Sequence, residues 1–247
     1  MIPDWLLPLS FIAIAFMYAS VGFGGGSSYL AILALAGLPF QEIRLAALIC
    51  NIIVVTGGTL IFFQNEQFDG RKILPLVVVS VPMAFLGAKM RISEETFFLL
   101  LGASLLVAAA LLWFQPQRPT EDAVSSPQPV RDGLLGGSIG LLSGMVGIGG
   151  GIFLSPLLHF FRWDTARKIA AAASVFILAN SLSGIAGQLA HLPPSLNWGR
   201  TALLCTAVFI GGQAGSRISL ARFNPLLIRR LTAVLVFVAG VEVLVRH

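Results

Sequence analysis

Two triple-glycine stretches, each set inside an apolar run, constrain this chain more than any other feature. The first is Gly22-Phe23-Gly24-Gly25-Gly26-Ser27-Ser28 and the second Gly147-Ile148-Gly149-Gly150-Gly151-Ile152-Phe153. A glycine inside a helix costs about 1 kcal/mol against alanine, so three in a row do not favour a continuous helix. They let the backbone turn sharply and leave it bare enough for a small ligand to touch. The chain around them is 56% hydrophobic and 11% charged, with a mean hydropathy of +0.88. Soluble domains carry roughly 25% charged residues. Here the charges cluster between long apolar runs, the pattern of an all-α polytopic membrane protein.

Inside a bilayer, irregular backbone survives only where protein or a water-filled cavity satisfies it. A helix restarting after each knot would aim free N–H groups and a positive dipole end at mid-membrane. That arrangement binds anions, and broken helices meeting at the midplane are a transporter device. The sequence therefore points to a permease for a small anion.

The chain reads as two similar halves, 1–114 and 133–247, separated by a proline-rich, mixed-charge linker over 115–132. Each half holds a knot region and three spanning helices. Gly22 aligns with Gly147, Arg44 with Arg167, Asn51 with Ser174, Lys72 with Arg200, Gly87 with Gly215 and Lys89 with Arg217. Corresponding broken segments in two halves are a sequence pointer to a transport site. Pro75 and Pro82 predict a kink in the third segment, and Arg162-Trp163-Asp164-Thr165 reads as a loop supplying an N-cap to the next helix. His191-Leu192-Pro193-Pro194 ends that helix.

Two topologies remain open. If each knot region is a re-entrant hairpin, the halves are inverted. If each crosses as one broken helix, they are parallel. The apolar runs after the knots are about eleven residues, a rise of about 16 Å or half a hydrocarbon core, which favours hairpins.

The knots and their surroundings resemble the TauE/SafE family of sulfite exporters. The residues that carry the likeness are Val21-Gly22-Phe23-Gly24-Gly25-Gly26 and the run from Ser143-Gly144-Met145-Val146 through Gly147 to Ser155-Pro156-Leu157-Leu158. The first half departs from the second after its knot, with Tyr29-Leu30-Ala31 where Leu154-Ser155-Pro156 stands. The resemblance implies a substrate such as sulfite, a sulfonate or a related organosulfur anion, crossing a bacterial inner membrane.

The expected substrate contacts are backbone N–H groups over Gly24, Gly25, Gly26, Ser27 and Ser28, and over Gly149, Gly150, Gly151, Ile152 and Phe153. Asn51, Ser174, Asn180 and Ser181 add uncharged donors, which suit an anion that must leave as well as enter. Interhelical packing and hydrogen bonding are the competing structural explanation for all of these. Arg44, Arg167 and Lys168 mark helix starts; they serve topology or act as funnel charges for an anion. His159 and Gln213 read as packing residues, and Cys50 and Cys205, both inside apolar runs, as small buried side chains.

Other functions fit poorly. The knots fail the G-x-G-x-x-G pattern at its last position, where Ser27 and Ile152 stand, and they lack the Gly-Lys-Ser/Thr of a phosphate-binding loop. No metal-ligand spacing or nucleophile–base pair emerges, so no cofactor, metal or catalytic activity is expected. The net charge of +5 comes without a basic stripe interleaved with aromatics, which argues against nucleic acid. No carboxylate sits at the centre of an expected span, so a carboxylate proton relay is absent. The expected partners are a small anion and membrane lipid, and a homo-oligomer stays open. The alternative reading is a non-transporting membrane assembly or lipid-handling protein.

Overall fold

Ten helices follow one another, with no strand among the described residues. The structure, a computed structural model, describes residues 5–19, 24–64, 68–116, 126–189, 197–218 and 225–246. Gly22 and Phe23 of the first knot, most of the linker, and the helix end expected at His191–Pro194 lie outside them.

The order is α1 (Leu6–Ala19), α2 (Gly26–Leu35), α3 (Phe40–Gln64), α4 (Gly70–Lys89) and α5 (Glu94–Phe114), then α6 (Pro129–Val146), α7 (Gly151–Phe160), α8 (Ala166–Gln188), α9 (Trp198–Ile218) and α10 (Pro225–Arg246). Helices α3, α4, α5 and α8 are long and apolar enough to cross a bilayer. Helix α6 begins at Pro129, so the last residues of the stretch read as linker form its first turn. Asp69 and Ser93 cap α4 and α5 through their side chains, while Thr165 precedes α8 without a side-chain cap bond. Helix α4 continues through both Pro75 and Pro82.

Glycine sets how the helices pack, because a missing side chain lets two backbones touch. A Cβ on Gly136, Gly140 or Gly144 of α6 would run into the carbonyl oxygens of Leu76, Ser80 and Ala84 of α4. Both series ascend, so α6 and α4 run parallel. Gly211 and Gly215 of α9 meet Ile12 and Phe16 of α1 in the same way. Ser183 and Gly187 of α8 lie on Val81 and Phe85 of α4, again ascending together. Helices α3 and α8 instead cross antiparallel: Gly184 packs on Leu48, and Ile177 and Val55 both lie beside Gly24.

At each knot the chain turns back. Trp163, just beyond α7, donates from Nε1 to Asp132 Oδ2 near the start of α6, at 2.9 Å. Phe11 of α1 stacks on Tyr29 of α2, with ring centroids 4.7 Å apart. Residues so far apart along one broken helix could not meet at a rise of about 1.5 Å each. Both knots are hairpin turns. Helices α1, α3, α5 and α9 therefore start at one face, called the near face, and α4, α6, α8 and α10 at the far face.

Candidate functional site

The two hairpin tips meet at the middle of the molecule, on the central turns of α3 and α8. Glycine is required there by conformation: Gly25 caps α2 at φ 80°, Gly150 caps α7 at φ 83°, and Gly147 and Gly149 are also left-handed. Space demands it too. A Cβ on Gly26 would lie 2.5 Å from Ile148 O and collide with Asn51 Nδ2. One on Gly149 would lie 2.6 Å from Asn51 Nδ2 and 3.2 Å from Ser181 Oγ.

Asn51 organises the meeting. It lies midway along α3, fully buried, and its Nδ2 donates to Ile148 O of the second knot at 3.0 Å. Its Oδ1 has no hydrogen-bond partner among the described residues, nor do Ser27 Oγ and Ser181 Oγ. Buried polar atoms are normally paired; other unpaired ones are spread through the described residues, and Ser27 Oγ and Asn51 Oδ1 are the two that belong to residues facing the space between the tips. The N–H groups of Ser28 and Phe153 turn back to Gly25 O and Gly150 O. Those of Gly26, Ser27, Gly151 and Ile152 have no acceptor among the described residues, as expected for the first positions of a helix.

Between the tips is a cavity lined by Tyr18, Gly24, Gly25, Gly26, Ser27, Asn51, Ile148, Gly151, Ile152 and Ile177. Its volume is about 10 Å³, room for one water molecule. Two helix N-termini thus point at one narrow space that a small anion could occupy only if the tips separate.

Of the residues singled out in the sequence, Gly24, Gly25, Gly26, Ser27, Asn51, Gly151 and Ile152 line this cavity. Ser28 stands behind it, its Oγ 2.7 Å from the Tyr18 hydroxyl. Gly149 packs against Asn51, and Gly150 packs against Phe176 and Ile139. Ser174 bonds back to Ala171 O of its own helix at 2.8 Å. Asn180 is buried with both amide atoms unpaired among the described residues, and it is not part of the cavity lining. His159 Nδ1 lies 2.8 Å from Ser155 O within α7.

Sequence reading missed Tyr18, Ile148 and Ile177. Tyr18 carried a signal, a phenol four residues before Gly22 in an otherwise apolar run. Ile148 carried one as well, its place inside the second knot between Gly147 and Gly149; Ile177 carried none, because an apolar residue in a span has no distinguishing mark until the fold places it.

Arg44 belongs to the scaffold around the site. It is buried, and its Nη2 donates to Gly144 O at 2.9 Å and Ala88 O at 3.3 Å, in the last turns of α6 and α4. A cation there satisfies orphan carbonyls at the negative ends of two helices. Arg167 is exposed, and Lys168 lies 3.6 Å from Asp164.

Two further ion pairs join helices at opposite faces. At the far face Lys72 Nζ sits 2.7 Å from Asp164 Oδ2 and 5.5 Å from the centre of the Trp163 ring. Burial by itself raises the Asp164 pKa. The hydrogen bonds from Lys72 and the Thr165 N–H, with the charges of Lys72 and Lys168, outweigh it and leave the carboxyl below its ordinary value. At the near face Arg200 Nη1 lies 3.4 Å from Glu42 Oε1.

Residues 6–243 match the family model described as Sulfite exporter TauE/SafE. The chain belongs to that family. It is 32% identical over 244 residues to the "Probable membrane transporter protein y4hK" of Sinorhizobium fredii (strain NBRC 101917 / NGR234), covering 96% of this chain and 97% of the relative. No solved structure matches it. Membership of TauE/SafE makes this a multi-pass membrane protein of a transporter family, and it agrees with the resemblance drawn from the knots.

Proposed function

We propose that this protein is a permease of a bacterial inner membrane that moves a small organosulfur anion, sulfite or a sulfonate, through the cavity where α2 and α7 begin. One observation carries the reading: two helices with left-handed glycine N-caps open onto one buried space, around which Asn51 Oδ1 and Ser27 Oγ lack partners among the described residues. Each helix terminus contributes about 0.3–1 kcal/mol toward a nearby negative charge, more when partly buried. Uncharged donors hold an anion without the deep well that a desolvated lysine would create.

We read the chain as two inverted repeats, 1–114 and 133–247, with the knots as re-entrant hairpins. The antiparallel crossing of α3 and α8, and the matching of α1 on α9 with α6 on α4, support this. Passage requires the hairpin tips to part, because the space between them holds no more than water.

Uptake of labelled sulfite and sulfonates into proteoliposomes tests the proposal. Wild type gives saturable flux, and Gly25→Leu and Gly150→Leu abolish it. An equal, non-saturable leak for all three would leave a non-transporting membrane assembly or a lipid-handling protein as the better reading.

A further inference from the structure

We propose that Arg200–Glu42 and Lys72–Asp164 are the two latches of an alternating-access cycle, one at each face, and that the near-face latch releases first. This rests on the permease reading above. Each pair ties a helix that lines the cavity to one that does not. At the near face α3, which carries Asn51, is tied to α9; at the far face Asp164, in the turn that leads into α8 and its Ile177, is tied to α4. Because α3 and α8 cross antiparallel at the site, loosening either helix at its own latched end opens the site toward that face alone.

The carboxylates are the buried members, with side chains 7% exposed for Glu42 and 3% for Asp164. Parting such a pair without water strands a buried charge, which is strongly unfavourable. Release and wetting of the route to the site are therefore a single event, and with both pairs formed the cavity is as narrow as observed.

The latches are unequal. Asp164 keeps the Thr165 N–H at 2.8 Å and Lys168 nearby in addition to Lys72, and Lys72, 12% exposed, also reaches Trp163 O at 3.3 Å. Glu42 has one ion-pair partner among the described residues, 3.4 Å away, and that arginine is 34% exposed. Solvent competes more effectively for the second pair.

The test is sided labelling of Ile152→Cys, in a Cys50→Ala, Cys205→Ser background, by a membrane-impermeant maleimide in right-side-out and inside-out vesicles. The parent should label faster from the near face than from the far face. Glu42→Gln should raise near-face labelling about fivefold, the low end of ordinary two-state coupling, and leave far-face labelling unchanged. Asp164→Asn should do the reverse. The double variant Glu42→Arg with Arg200→Glu should return labelling to the parent rate.

Equal gains from both faces, no gain from either, or no recovery in the charge-reversed pair would overturn the proposal. Should a carboxylate variant fail to insert, Arg200→Gln and Lys72→Gln carry the same expectations. Labelling reads access and not flux. Sided labelling without saturable flux would remove the permease and keep the latches; flux with unsided labelling would do the opposite.

Discussion

Gly26 is where packing and proposed chemistry coincide. Its missing Cβ leaves room for the Asn51 amide and Ile148 O, so Gly26→Ala forces apart the contact that closes the two tips. Transport in the Gly26→Ala protein should fall at least about tenfold, the effect of about 1.4 kcal/mol on a rate or equilibrium. Gly58→Ala, with nothing among the described residues within 4 Å of the added carbon, should leave flux unchanged. Proteoliposome uptake of the two variants makes the comparison, and equal loss in both would contradict it. Asp164 gives a residue-scale prediction in pH. Its folded pKa lies below the ordinary value of about 3.9. Its contribution is therefore fully present above that pH and is lost as pH falls through the lower folded value. Thermal melting in detergent should show stability dropping across this acidic window, and Lys72→Met should flatten the drop; identical profiles would contradict the assignment.

At the scale of elements, α6 is a ridge of glycines on α4. Gly136, Gly140 and Gly144 recur every four residues, and each brings its backbone against a carbonyl of α4. Gly140→Val should separate the helices and destabilise the protein by about 1–3 kcal/mol, the usual effect of overpacking. A fall in the melting temperature and in the folded yield after detergent extraction would register it; an unchanged melting temperature would speak against the ridge. Much of this level was legible in the sequence. The helix starts after both knots and the long helices α3, α5 and α8 follow from apolar runs broken by glycine, proline and charge. The partners were not legible, because lipid and protein are equally apolar neighbours for a span. A glycine every four residues says that something approaches closely, without saying that it is α4. Arg44 shows the same limit: a charge at a helix start reads as topology, and only the fold reveals two carbonyl ends waiting for it.

For the whole molecule, hairpins at both knots put the start of α1 and the end of α10 at the same, near face. Nine of the fourteen Lys and Arg among the described residues then fall toward the far face by chain order. The positive-inside rule predicts a cytoplasmic far face, so a reporter fused after His247 should be active as alkaline phosphatase and dark as a fluorescent protein that matures only in the cytoplasm. The opposite result would remove either the hairpins or the orientation. The sequence left hairpins and broken helices both open, since charge counts differ little between them; Trp163 on Asp132 and Phe11 on Tyr29 decide for hairpins. The central claim is that an anion sits between the two helix starts. Selenite, an oxyanion like sulfite with a strong anomalous signal, locates it directly in crystals. The account predicts one anomalous peak within hydrogen-bond reach of the Gly26, Ser27, Gly151 and Ile152 N–H groups; a peak beside Arg44 or Arg167 with none at the knots would contradict it.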